Sequence, residues 1–276
     1  MGEPENRSDG PSVAVEDRQQ DSGRDLIVDD LTVRFGGIVA LDRAGLHARE
    51  GEIAGLIGPN GAGKTTLFNC LTGIYRATSG SIRWQDRELL GLQPYQVANH
   101  RISRTFQNLA LFPKLTVREN VIVGLHRVRT SDWVSNAVRA PWVLREEKDV
   151  RDRADAALEE VGLSTVASKP AVGLPFGTLK RVELARAVAA EPTLLLLDEP
   201  AAGLAHSEVD DLMDVVRQLR DSHDLTVVLV EHHMGLVMRL CEHITVLNFG
   251  RTIATGTPRE VRNNQDVIDA YLGGPE

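Results

Sequence analysis

The segment Gly58-Pro-Asn-Gly-Ala-Gly-Lys64-Thr65 constrains this chain more than any other stretch in it. It fits G-x-x-x-x-G-K-[ST], a loop whose glycines let the backbone curl until its N–H groups point inward at phosphate oxygens. The flanks suit the motif. A short apolar run at 52–57 reads as a strand, Thr66–Leu71 continues as a helix, and Gly73 is its stop. The helix N-terminus adds partial positive charge where the phosphates lie. Lys64 is placed to reach the β- and γ-phosphates. The Thr65 hydroxyl suits Mg²⁺, a hard cation that prefers oxygen. Gly58, Asn60, Gly61, Gly63, Lys64, Thr65 and Thr66 are therefore the candidate nucleotide-binding residues. Alone, the motif specifies a nucleoside triphosphate and nothing narrower.

A second element narrows the chemistry. Leu194-Leu-Leu-Leu-Asp198-Glu199-Pro200 is an apolar strand with two carboxylates at its C-terminal end. Ligands of open α/β sheets bind at that end. Asp198 suits Mg²⁺ held through its hydration shell, and Glu199 suits a general base for the attacking water. A further strand, Thr226–Val230, runs into Glu231-His232-His233. Either histidine could hydrogen-bond a γ-phosphate, and position in the motif favours His232.

The rest of the chain organises around these motifs. Leu31, Val33 and Phe35 alternate before Gly36-Gly37, and Ile82 and Trp84 follow Ser79-Gly80, so the early region reads as strands and turns. Ala154, Ala157, Leu158 and Val161 recur at helical spacing, with Gly162 as the stop, inside a mostly helical section at about 108–190. Within it, Trp133, Val134, Ala137 and Val138 form an apolar face, read either as packing on its own subdomain or as partner-facing. Val209, Leu212, Met213 and Val216 mark another amphipathic helix, for which Ser207 and Asp210 have capping-box spacing. Ile244–Leu247 and Thr252–Ala254 flank Gly250 as a hairpin. The βαβ rhythm of the last third implies a parallel sheet. Residues 1–24 are polar and read as a disordered tail.

Composition excludes some alternatives. A net charge of −8 argues against bulk nucleic-acid binding. No apolar run approaches the ~18 residues of a membrane span, and the N-terminus has no secretory pattern. Work at a membrane would then require docking on another subunit. Cys70 and Cys241 have no metal-type spacing and read as free thiols.

These pieces, in this order, resemble the ATP-binding cassette family across about residues 26–272. Residues 58–65 match its Walker A motif and 194–199 its Walker B. Phe35 looks like the aromatic that stacks on adenine, Gln107 the Q-loop residue and His232 the switch histidine. Ala201–His206 looks like the D-loop. Leu174-Pro-Phe-Gly-Thr178 sits where the LSGGQ signature belongs. The resemblance implies a P-loop (RecA-like) α/β core with an N-terminal antiparallel β subdomain, a helical signature subdomain at about 108–190 and a C-terminal extension at about 250–276. It implies ATP and Mg²⁺ as ligands, with Thr65, Gln107 and Asp198 serving the metal. Lys64, Gln107, Glu199 and His232 are the implied catalytic set. Gly177 and Thr178 would present amides to the nucleotide of a second ATPase subunit, since two cassettes of this family close head-to-tail around two ATP molecules. Pro175 replaces the signature serine and offers neither hydroxyl nor N–H, so one phosphate contact should be absent or rebuilt.

A finer likeness points to the branched-chain amino acid (and urea or amide) importer subgroup. It is carried by Ile102–Leu109, Leu111–Val117, Glu231–Met234, the ending Ala270-Tyr-Leu-Gly and the extra residues at 126–149. The implied partners are transmembrane permeases and, indirectly, a substrate-binding protein. The implied location is the cytoplasmic face of the cell membrane. The competing readings are an exporter or lipopolysaccharide-extraction ATPase, which shares the same chemistry, and a cassette ATPase acting on nucleic acid or ribosomes. The chain shows neither the long coiled-coil insertion nor the second cassette usual in the last group.

Overall fold

A computed structural model describes residues 24–125 and 141–272. The tail expected at 1–24 falls outside them except for Arg24, and so do Trp133, Val134, Ala137 and Val138.

Two sheets organise the chain. The first is antiparallel, in the order β2-β1-β4-β5. It is built from β1 (Leu26–Phe35), β2 (Ile38–Ala48), β4 (Ser79–Trp84) and the short β5 (Arg87–Glu88). Gly36-Gly37 makes the turn between β1 and β2, as the alternating pattern predicts.

The second sheet contains β3 (Ile53–Ile57), β6 (Ile102–Arg104), β7 (Leu194–Asp198), β8 (Thr226–Val230), β9 (His243–Asn248) and β10 (Arg251–Gly256). Its order is β10-β9-β3-β8-β7-β6. Five strands are parallel, and β10 folds back antiparallel on β9 through a turn at Phe249-Gly250. On β7, Leu194 and Leu196 enter one apolar core while Leu195 and Leu197 enter the other. A strand buried on both faces needs a continuous apolar run rather than an alternating one. That is why this strand is four leucines.

Helix α1 (Lys64–Leu71) lies between the sheets. Its Leu67, Phe68 and Leu71 share a core with Leu26, Val33 and Leu41 of the antiparallel sheet and with Leu56, Leu196 and Val228 of the parallel one. Helix α2 (Pro94–Asn99) leads into β6. The other face of the parallel sheet is covered by α3 (Val117–Gly124), α4 (Pro141–Glu160), α5 (Phe176–Val188), α6 (His206–His223) and α7 (Met234–Leu240). Helices α8 (Pro258–Arg262) and α9 (Gln265–Leu272) close the chain. Among the described residues no helix is long and apolar enough to cross a membrane.

One local expectation is corrected. The capping box of α6 is not Ser207/Asp210. The helix starts at His206, and the Glu208 carboxylate accepts the Ala205 N–H at 3.0 Å, which leaves Ser207 inside the first turn. Helix α5 starts at Phe176, two residues earlier than Thr178. Pro175 stands just before it, where its missing N–H costs no helical hydrogen bond and its fixed φ suits helix entry.

Candidate functional site

The phosphate loop is built at the end of β3, and its shape requires glycine at two places. Gly58 has φ +150°, and a Cβ there would lie 2.1 Å from the Leu247 carbonyl oxygen. Gly63 has φ +105°, and its Cβ would lie 2.6 Å from Leu41 and 2.9 Å from the Ala40 carbonyl. The β9–β10 turn supports the loop from outside. The Gly250 N–H donates to the Ala62 carbonyl at 3.0 Å, and Asp42 N–H donates to the Gly250 carbonyl at 2.8 Å. Asn60, Gly61 and Thr65 are exposed, and Thr66 is half-buried, so this rim faces open space.

Lys64 is buried, and its ammonium donates to the carbonyls of Gly58 at 2.7 Å and Pro59 at 2.9 Å. Burial pushes its pKa down, and the carboxylates of Glu199 and Asp198 push it back up. The two acidic residues at the end of β7 are thus near enough to the lysine of the phosphate loop to act on its charge.

Glu199 follows β7 in the left-handed region, at φ +47°, with its N–H donating to the Val230 carbonyl at 2.9 Å. A non-glycine residue in that region carries backbone strain, and such strain concentrates at functional sites. The loops after the two neighbouring strands supply its side-chain partners. Gln107, beyond β6, donates from Nε2 to Glu199 Oε2 at 2.9 Å. His232, beyond β8, places Nδ1 3.8 Å from the same oxygen and is 59% exposed. His233 instead packs edge-on against His206, with ring centroids 6.0 Å apart. Of the two histidines that the sequence left in competition, His232 is the one beside Glu199.

Lys64, Asp198, Glu199, Gln107 and His232 thus form one cluster. The other expected site residues lie on separate elements. Phe35 is 46% exposed at the end of β1 and meets Tyr75 edge-on, with ring centroids 5.2 Å apart. Gly177 and Thr178 sit in the first turn of α5, whose leading amides have no intrahelical acceptor. A Cβ on Gly177 would meet the Glu208 carboxylate at 2.6 Å, and Phe176 packs over Gly203 of the following loop.

Several residues that serve the cluster were not singled out from sequence. Glu231 is 1% exposed and accepts from the Ala201 N–H at 2.9 Å and the His232 N–H at 3.2 Å, so it ties the loop after Glu199 to His232. Three charged residues on one face of α5 grip the loop that carries Gln107. Lys180 donates to the Gln107 carbonyl at 3.4 Å, Glu183 accepts the Phe106 N–H at 3.3 Å, and Arg186 donates to the Ala110 carbonyl. Burial raises the Glu183 pKa, while the Phe106 N–H, Lys180 and Arg186 oppose that shift. The 180, 183, 186 spacing was the available signal, since residues three apart share a helix face. Arg104 is the strongest omission, with its side chain only 7% exposed and bonded to Asp198 at 2.7 Å. Both cysteines are free and buried, and burial pushes the Cys70 thiol up to about 11.

A phosphate loop between β3 and α1, facing a carboxylate pair at the end of a parallel strand, defines a P-loop nucleoside triphosphatase. A family profile described as "ABC transporter" matches residues 41–202, and one described as "Branched-chain amino acid ATP-binding cassette transporter" matches 251–276. The chain belongs to the ABC transporter family and is an ATP-hydrolysing subunit of it.

Similar proteins extend along nearly the whole chain. It is 44% identical over 248 residues to the high-affinity branched-chain amino acid transport ATP-binding protein BraF of Pseudomonas aeruginosa. It is 45% identical to the LivG protein of Salmonella typhimurium. Each alignment covers 90% of this chain and 97% of the relative. Among solved structures, a nucleotide-free ATP-binding cassette from an ABC transporter superposes with a TM-score of 0.79 at 28% identity, covering 90% of this chain and 98% of that one. A dimeric post-hydrolysis cassette bound to ADP and Pi gives 0.70 at 26% identity, covering 85% and 99%.

Proposed function

We propose that this chain drives a membrane importer for branched-chain amino acids or related small polar solutes such as urea and amides. The observation that carries this reading is its extent. The likeness to branched-chain amino acid transport ATP-binding proteins spans 90% of the chain at 44–45% identity, and the separate C-terminal match covers 251–276. The motor docks on permease subunits at the cytoplasmic face of the membrane and takes substrate indirectly from a binding protein. It works as one of two cassettes and binds no nucleic acid. The known dimeric cassette with ADP and Pi supports the pairing.

We assign the residue roles from the family likeness, which the geometry of the cluster supports. Phe35 stacks on adenine, with Tyr75 bracing its edge. Amides of the loop from Gly58 through Asn60, Gly61 and Gly63 to Thr66 cradle the phosphates. Lys64 exchanges its two loop carbonyls for β- and γ-phosphate oxygens. Thr65, Asp198 and Gln107 would hold Mg²⁺. The donors they offer are hydroxyl, carboxylate and amide oxygen, which fits a hard cation and not a thiophilic one. When bound, that ion neutralises phosphate charge. Glu199 accepts a proton from the attacking water, oriented by Gln107, while His232 hydrogen-bonds the γ-phosphate. Gly177 and Thr178 contribute their amides to the site of the second cassette.

The test is to purify the chain with its permeases and binding protein and to screen solutes for stimulated ATP hydrolysis. A branched-chain amino acid, urea or an amide should stimulate it. Stimulation by lipid or lipopolysaccharide, with none of these solutes active, overturns the import reading.

A further inference from the structure

Arg104 sits under the acidic pair and holds one half of it. It ends β6, in parallel register opposite Leu196 of β7. Its Nη2 donates to Asp198 Oδ2 at 2.7 Å, and its Nη1 donates to Asn69 Oδ1 at 2.8 Å and Thr72 Oγ1 at 3.2 Å. The rings of Phe68 and Phe106 lie 5.4 Å and 5.3 Å from the guanidinium carbon. The side chains of Arg104 and Asp198 are 7% and 6% exposed. A buried ion pair adds little net stability over a well-packed apolar substitute, so stability alone does not account for this one.

Its place in the chain supplies a function. Thr105, the next residue, accepts the Asp198 N–H on its hydroxyl at 3.3 Å, and Gln107, two further on, binds Glu199 at 2.9 Å. The segment Arg104-Thr-Phe-Gln107 therefore grips Asp198 by side chain and backbone, and Glu199 by side chain. Asn69 and Thr72, the other acceptors of Arg104, are on or just after α1, the helix that begins with Lys64 and Thr65.

We propose that Arg104 is a positioning residue for the magnesium site. It pins Asp198 through Oδ2, leaves Oδ1 for the hydration shell of the ion, and locks that carboxylate to the helix bearing Thr65. This inference rests on the ATPase reading above. Lysine cannot take over the task. One ammonium group cannot span three acceptors in the planar fork of a guanidinium, nor meet both rings as that group does. Groups that orient a metal ligand change metal affinity by about 10- to 100-fold when removed.

The experiment uses the full chain and a fluorescent ADP analogue, with and without a Mg²⁺ titration. In Arg104→Lys, nucleotide affinity without divalent ion should stay within ~3-fold of the parent protein. The Mg²⁺ concentration giving half-maximal enhancement of binding should rise by ~10-fold or more. Asn69→Ala, which removes one anchor of the guanidinium, should shift the Mg²⁺ midpoint in the same direction by ~3-fold. A folded Arg104→Lys with an unchanged midpoint overturns the proposal. If that variant does not fold, an unchanged midpoint in Asn69→Ala overturns it. If the parent protein itself shows no Mg²⁺-dependent nucleotide binding, the magnesium site assigned to Thr65, Asp198 and Gln107 fails and this inference falls with it.

Discussion

Replacing Glu199 by glutamine separates base catalysis from architecture. Glutamine keeps the length of the side chain and an oxygen that can still accept from Gln107 Nε2, now at 2.9 Å. The strained backbone at φ +47° and the N–H bond to Val230 belong to the main chain and survive the change. Stability should therefore move by less than about 1 kcal/mol. What is lost is the carboxylate proposed above to take the proton of the attacking water. General-base catalysis contributes ~100- to 10,000-fold, equivalent to roughly 3–5 kcal/mol of barrier. Single-turnover hydrolysis gives the rate, calorimetry gives ATP affinity, and light scattering with ATP gives the association state. Glu199→Gln should bind ATP normally, hydrolyse it at least ~100-fold more slowly and accumulate as a dimer. Hydrolysis within a few-fold of the parent rate would mean that another group abstracts the proton, and the role given to Glu199 would be wrong.

Three other outcomes follow from particular contacts. Gly58→Ala drives a methyl group onto the Leu247 carbonyl, which can move only with β9, so it should cost ~2 kcal/mol or more in chemical denaturation and weaken nucleotide binding. Pro175→Ser adds a hydroxyl ahead of α5 without disturbing a hydrogen bond, so steady-state ATPase activity should not fall. A large loss there would reveal a structural task for the proline. Glu183 has a raised pKa in the folded state, so the folded protein binds more protons than the unfolded chain between pH 4.5 and that raised folded value. Its contribution is complete below 4.5 and is lost as pH rises through the folded value. Urea midpoints of Glu183→Gln should decline less steeply with pH than those of the parent protein over that window.

The sequence was most legible where one residue type has one physical use. Four consecutive leucines ending in two carboxylates admit little besides a doubly buried strand with an acidic end, and β7 is that strand. The glycine loop was equally readable, because a side chain at Gly58 or Gly63 has nowhere to go. The Phe249-Gly250 turn and the stop at Gly162 were readable for the same conformational reason. Helix starts were less so. Glu208, not Asp210, reaches back to the Ala205 amide that caps α6, and spacing alone gives both options equal standing. Arg104, Glu231 and Glu183 were not legible as site residues. Their roles depend on neighbours 94, 30 and 77 positions away, and a single charged residue at a strand end or on a helix face reads as solvated until those neighbours are placed.

The order of the parallel strands explains why so few residues suffice. Strands β3, β8, β7 and β6 lie side by side, and each C-terminal end contributes one part of the cluster. β3 leads to the phosphate loop, β8 to His232, β7 to Asp198 and Glu199, and β6 to Arg104 and Gln107. Because β7 lies between β8 and β6, Glu199 has a histidine on one side and an amide on the other without any long excursion of chain. The loop after β6 is in turn held by Lys180, Glu183 and Arg186 of α5, the helix that begins with the signature residues. Any displacement of α5 relative to the parallel sheet must therefore pull on the peptide next to Gln107 and on its bond to Glu199. In this arrangement the proposed base cannot be set independently of the end of α5 assigned above to the second cassette.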